Sequence, residues 1–124
     1  MDVVVGLDAR GFLMGPAMAL EARKPFVAVR KKGKLPGPCH EVKYNLEYGS
    51  SECEMQKGVV REGDRVLIVD DLLATGGTLS AAVDLVKKSG GQVVQCWVLV
   101  ELTKLAGRNL VKAPVHSVLK MDLL

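Results

Sequence analysis

Val66-Leu67-Ile68-Val69-Asp70-Asp71-Leu72-Leu73-Ala74-Thr75-Gly76-Gly77-Thr78 is the stretch on which the fold turns. Its four leading apolar residues read as a buried strand, which delivers two adjacent carboxylates at its carboxyl end. A short Gly/Thr loop follows and opens a helix. Ligands of open α/β sheets bind at the carboxyl ends of the strands, so the acids and the loop stand where a site belongs. Backbone N–H groups of a glycine loop at a helix start form an anion site, and the helix dipole strengthens it. Thr75 and Thr78 add hydroxyl donors, and Gly76 and Gly77 let the backbone approach an anion closely. Two acids beside that anion would repel it unless the ligand also carries hydroxyls, which carboxylates accept well, or a bound Mg2+. A ribose phosphate has both features. Either feature alone is equally well read as a shaped turn; in this order, after this strand, the pair points to a ligand.

Outward from this stretch the chain keeps alternating. Glu62-Gly63-Asp64 makes a turn, and Arg65 to Val69 is the clearest strand. Leu79 to Lys88 reads as a helix with Ala82, Val83, Leu85 and Val86 on its apolar side, stopped by Ser89-Gly90-Gly91. Val93 to Val100 is a continuous apolar strand with Trp97 in the core, and Val115 to Leu119 a final short one. Toward the N-terminus, Val3-Val4-Val5 is a buried strand running into Gly6-Leu7-Asp8. Gly11 to Arg23 carries Leu13, Met14, Ala17 and Leu20 at helical spacing, with Pro16 in the first turn. Lys24-Pro25 breaks that pattern, and Phe26 to Val29 is a second strand. Apolar strands alternating with helices predict a parallel sheet covered on both faces.

Residues 31 to 63 differ. Lys31-Lys32-Gly33-Lys34-Leu35-Pro36-Gly37-Pro38 opposes regular structure, whereas Tyr44, Leu46 and Tyr48, then Cys53 and Met55, alternate as a β-hairpin does. An excursion this long inside a compact domain is expected to close over a ligand.

At 124 residues the chain is expected to be a single domain, 1–124, with 48% hydrophobic and 25% charged residues. Aromatics are only 4%, so the core must come from Val, Leu, Ala and Met. No apolar run reaches the roughly 18 residues that span a bilayer, and Met1 to Val5 lacks a basic n-region, so neither membrane nor secretion is indicated. The chain is expected to be cytoplasmic. A net charge of +3 is too mild for a nucleic-acid protein, although Arg30, Lys31, Lys32 and Lys34 gather positive charge suited to an anion. Cys39, Cys53 and Cys96 are odd in number and lack metal-site spacing, so free thiols are expected. His40 and His116 have no partner spacing and read as structural. Gly6 and Gly11 have P-loop spacing, but Phe12-Leu13 replaces the required Lys-Ser/Thr, which rejects that nucleotide motif. Arg10 remains in a strand-to-helix turn, able to grip an anion through several donors.

The segment Val66 to Thr78 closely resembles the phosphoribosyl-pyrophosphate signature of the type I phosphoribosyltransferases. The resemblance implies their fold, a parallel α/β sheet with helices on both faces and a long, flexible, hairpin-containing loop at about 31–63. It implies that Asp70 and Asp71 hold the ribose hydroxyls and that Ala74, Thr75, Gly76, Gly77 and Thr78 cradle the 5′-phosphate. Gly6-Leu7-Asp8-Ala9-Arg10-Gly11-Phe12 is similar to the pyrophosphate loop of the adenine branch, with Arg10 on the leaving group. The basic stretch, through Arg30, Lys31 and Lys34, resembles that branch too and helps to bind pyrophosphate, partly across a dimer interface. Leu46-Glu47-Tyr48-Gly49 resembles the mobile segment that closes over the reaction, Glu47 being the proton-transfer residue at the purine. In Val100-Glu101-Leu102-Thr103, Leu102 corresponds to an apolar residue packing on the base. On residue type alone Glu47 is a solvated hairpin residue and Leu102 ordinary core; their roles rest on the resemblance.

The activity so implied is purine salvage: adenine and phosphoribosyl pyrophosphate give AMP and pyrophosphate. Mg2+ is carried mainly by the substrate's pyrophosphate with no direct protein ligands, and the enzyme is a homodimer. Family members normally carry several dozen residues before the first strand, including part of the hood that recognises adenine. This chain starts at that strand, so a shortened form or fragment with a reduced hood is expected. Two rivals stand beside this reading: a phosphoribosyltransferase for another base, and a shortened, weakly active or inactive form that binds the ligand or a partner.

Overall fold

The computed structural model describes residues 1–46 and 49–122, with the side chain of Leu46 outside that description. Seven strands form one sheet in the order β3-β4-β2-β1-β5-β6-β7. The strands are β1 (Val3–Leu7), β2 (Phe26–Lys31), β3 (Cys39–Leu46), β4 (Gly49–Gln56), β5 (Arg65–Leu73), β6 (Gln92–Leu102) and β7 (Val115–Met121). Two twelve-residue helices, α1 (Gly11–Ala22) and α2 (Gly77–Lys88), connect β1 to β2 and β5 to β6. The five strands β2, β1, β5, β6 and β7 run parallel, and the β3–β4 hairpin adds two antiparallel strands beyond β2.

Strand alternation sends successive side chains of the central strands to opposite faces. Val3, Val5, Leu7, Val66 and Ile68 pack on one face against Leu79, Ala82, Val83, Leu85 and Val86, all on α2. Val4, Val69 and Leu67 pack on the other against Met14, Met18 and Ala19 of α1, with Phe26 and Trp97. Both faces of β1 and β5 are thus dry, which is why these strands read as unbroken apolar runs. Full burial of each Val or Leu there contributes about 1.5–3 kcal/mol. Trp97 is half-buried at the rim of the α1 cluster.

Several details depart from the sequence expectation. Strand β5 does not stop at Val69 but continues to Leu73, pairing Asp70 with Val98 and Leu73 with Glu101. Aspartate is a poor strand former by propensity, and pairing with β6 overrides that preference. Pro16 lies well inside α1, not in its first turn. Its ring leaves the carbonyl of Phe12 without the usual helical donor, and its outer face is exposed to water. Helix α2 begins at Gly77, two residues before Leu79.

The segment 31–63 holds the expected hairpin, and that hairpin is built into the sheet. β4 pairs with β2 through Arg30–Glu54 and Lys31–Cys53, and Cys53 and Met55 are buried in the α2-side core. No helix among the described residues is long and apolar enough to cross a membrane.

Candidate functional site

Chain order puts α1 on one face and α2 on the other, because the connection from β1 leads outward to β2 while that from β5 leads outward to β6. The two paths diverge between β1 and β5, and a crevice opens at the carboxyl ends of these strands. A cleft of about 230 Å³ lies there, lined by Asp8, Ala9 and Arg10 after β1 and by residues 70–79 at the end of β5 and the start of α2. A second cavity of about 430 Å³ adjoins it and shares Asp8, Ala9 and Thr78; Arg30, Lys31 and Tyr44 line its other side.

The phosphate-type loop has the geometry its residues require. Gly76 precedes α2 at φ +92°, in the left-handed region that favours glycine, and its carbonyl accepts the N–H of Ser80. Gly76 is buried whereas Thr75 and Thr78 expose their side chains toward the cleft. The N–H groups of the first turn of α2 have no partner within the helix and suit an anion.

The two acids differ sharply. Asp71 pairs with the exposed guanidinium of Arg10, Nε to Oδ2 at 2.8 Å. Asp70 is more deeply set, and burial pushes its carboxyl up to about 7, despite a hydrogen bond donated to its Oδ1 by the N–H of Asp71 at 2.9 Å. Across the cleft mouth Arg30 donates to Asp8, Nε to Oδ2 at 2.8 Å. Each arginine in the site is therefore held by a carboxylate, which keeps the basic groups in place and lets an arriving anion compete for them. The peptide between Asp8 and Ala9 is cis.

Most of the residues singled out in the sequence converge here: Arg10, Asp70, Asp71, Ala74, Thr75, Gly76, Gly77 and Thr78 line the first cleft, Arg30 and Lys31 the second. Lys34 stands exposed in the turn after β2, beside neither. Leu102 ends β6 opposite Met121, half-buried, and does not line either cavity. Glu47 and Tyr48 lie outside the described residues.

Two contributors were missed. Asp8 partners Arg30, and its signal was its place in the turn at the end of β1. Glu54, buried within β4, accepts hydrogen bonds from the N–H of Gly33 and of Leu35, both at 3.1 Å. It thereby shapes the basic turn that was expected to be irregular. Nothing in the local sequence marks it out. Cys53 and Cys96 are buried thiols whose ionisation burial pushes up to about 11 and about 12, and Cys39 is free and half-buried. None of them lines the first cleft, whereas Cys53 lines the adjoining cavity.

Residues 1–122 match the family described as "Phosphoribosyl transferase domain". The chain is 55% identical over 109 residues to the adenine phosphoribosyltransferase of Caenorhabditis elegans, a match covering 88% of this chain and 59% of that protein. It superimposes on the crystal structure of the adenine phosphoribosyltransferase from Rhodothermus marinus with a TM-score of 0.95 and 47% identity, over 98% of this chain and 70% of that one. The corresponding enzyme of Saccharomyces cerevisiae was solved with adenine and D-2,5-dideoxy-2,5-imino-altritol 1,6-bisphosphate; its TM-score is 0.94 and its identity 45%, over 95% of this chain and 67% of that one. The chain thus spans 59% to 70% of the length of these relatives. A cleft at the β1–β5 switch point, a Gly/Thr loop on α2 and a match running almost end to end lead to one conclusion: the chain belongs to the phosphoribosyltransferase family, in its adenine phosphoribosyltransferase branch.

Proposed function

We propose that this protein converts adenine and phosphoribosyl pyrophosphate to AMP and pyrophosphate. The observation that carries the reading is the meeting of two loops in one cleft, Asp8–Arg10 from β1 and 70–79 from β5 and α2. The yeast relative with adenine and a bisphosphate bound supports the choice of ligand class. A sugar bearing both phosphates and hydroxyls suits this cleft, because it can exchange partners on both sides at once. Its pyrophosphate takes Arg10 from Asp71 and draws on Arg30, Lys31 and Lys34, while its ribose hydroxyls donate to the freed carboxylates. The 5′-phosphate sits on the N–H groups of residues 75–78 with the hydroxyls of Thr75 and Thr78.

Mg2+ is carried mainly by the substrate's pyrophosphate, where it would neutralise leaving-group charge. As pyrophosphate departs, positive charge develops on the ribose and negative charge on the leaving oxygen. Arg10 and the lysines stabilise the latter, and the fixed loop and acids hold the sugar in line for attack by the purine nitrogen. Glu47 exchanges a proton with the purine, Tyr48 contributes to substrate binding, and the 31–63 segment excludes water that would otherwise capture the sugar. Leu102 packs on the base once the site is complete. The 1–124 stretch works as one domain, as a homodimer in the cytoplasm.

A time course of AMP formation from adenine, phosphoribosyl pyrophosphate and Mg2+, with hypoxanthine and guanine in parallel, tests this. Adenine-selective product is expected. A folded chain that yields none, or that prefers another base, would overturn it.

A further inference from the structure

Glu101 and Glu54 are the buried charged residues of the described chain, and only Glu54 serves a loop whose purpose is already clear. Glu101, 5% exposed, is fastened to Arg108 at two points: Nη2 to Oε1 at 2.7 Å and Nε to Oε2 at 3.2 Å. Ser117 Oγ donates to the same Oε1 at 2.8 Å, and Arg108 Nη1 donates to the carbonyl of Val115 at 2.7 Å. The guanidinium is thus locked across β6 and β7 by charge-assisted bonds in a fork geometry that lysine cannot reproduce. Burying the Glu101 carboxylate costs desolvation, and its pairing with the part-exposed Arg108 is weak grounds for stability by itself, so the placement calls for another explanation.

That placement is next to the phosphate-type loop. The residue before Arg108 is Gly107, buried, whose missing side chain leaves room for the carbonyl of Ala74, the N–H of Gly76 and the carbonyl carbon of Thr75. A Cβ at Gly107 would collide with all three, and one at Gly76 would collide with the carbonyl of Gly107. Ala106 reaches this contact in the left-handed region at φ +50°, an uncommon conformation for a residue with a Cβ. Meanwhile the backbone of Glu101 lies opposite Leu73, the residue just before the loop. A closed circuit results: Leu73 to Glu101 by register, Glu101 to Arg108 by ion pair, Gly107 to residues 74–76 by direct contact.

We propose that Arg108 and Glu101 are positioning residues for the ribose 5-phosphate site, holding Gly107 as a backstop that fixes the backbone of residues 74–76. The inference rests on the phosphoribosyl reading of that loop. Arg108 touches no substrate; it acts by preventing the loop amides from drifting away from the phosphate. Displacements of this kind in groups supporting a site cost about tenfold to a hundredfold in affinity or rate.

The test uses the full chain, with ribose 5-phosphate as probe in calorimetry and backbone amide NMR without ligand. For Arg108→Lys, ribose 5-phosphate affinity is expected to fall about tenfold or more in protein that is still folded at the assay temperature. The amide signals of residues 74–78 should shift while those of Val3 to Val5 stay in place. Ser117→Ala, which leaves the ion pair in place, should give the same pattern more weakly and serves if the lysine variant does not fold. Unchanged affinity and unmoved loop amides in a folded variant would overturn the proposal. A parent chain that does not bind ribose 5-phosphate would defeat the phosphoribosyl reading instead, and the loop amides would still decide whether Arg108 sets the backbone.

Discussion

Asp70 and Asp71 are adjacent, yet strand alternation gives them opposite surroundings and separate duties. Asp71 faces Arg10; Asp70 is set back, and burial lifts its carboxyl from an ordinary 3.8 to about 7. In the folded chain Asp70 therefore keeps a proton that the unfolded chain has already released. Stability from this group is greatest at acid pH and declines as the pH rises toward about 7, after which both states are ionised. Asp70→Asn should abolish that decline and make the chain more stable than the parent at pH 8 by about 1–2 kcal/mol, as read from thermal unfolding across pH. A variant no more stable than the parent in alkali would show that Asp70 ionises normally. Asp71→Asn removes the partner of Arg10 and one acceptor for a ribose hydroxyl. The KM for phosphoribosyl pyrophosphate should rise about tenfold to a hundredfold in steady-state assays, the worth of a charge-assisted hydrogen bond. The pair of acids was legible from the sequence because it is contiguous. Their inequality was not, since it depends on Arg10 arriving from a different strand.

At the scale of elements, β4 carries the most unexpected burden. Its sequence, Gly49-Ser50-Ser51-Glu52-Cys53-Glu54-Met55-Gln56, is largely polar and reads as an excursion. Its last residues nevertheless enter the core: Met55 is fully buried, and Glu54 fixes the basic turn while Arg30 and Lys31 pair with the strand. Met55→Ala should cost about 2–4 kcal/mol by thermal or denaturant unfolding, as for other buried Met-to-Ala changes. Hydrogen exchange should rise first in the β2–β4 ladder, because that short pairing is where the hairpin joins the sheet. Equal acceleration throughout the sheet would mean that the hairpin has no local opening of its own. The hairpin was foreseen from the alternation at Tyr44 and Leu46, then Cys53 and Met55. Its attachment to β2 was not, because edge pairing leaves no periodic mark on either strand.

For the whole molecule, charge and topology act together. A net charge of +3 is small, but Arg30 and Lys31 line the second cavity, and Lys34 adds exposed positive charge in the turn that follows them. Anionic substrates should be steered there, so the KM for phosphoribosyl pyrophosphate should rise several-fold between about 0.05 M and about 0.5 M salt. The double variant Lys31→Ala/Lys34→Ala should flatten that dependence; a dependence as steep as the parent's would remove these lysines from the account. By itself the sequence determined the central strands, both helices, the phosphate-type loop and the paired acids. Each of these is written in contiguous residues, through apolar runs, turn glycines and helical spacing. Only the tertiary structure decided that the loops after β1 and β5 share one cleft, that Arg10 meets Asp71 and Arg30 meets Asp8, and that Arg108 braces the loop from behind. Those contacts join residues far apart along the chain, and their choice depends on which strands lie side by side in the sheet, which no local pattern encodes.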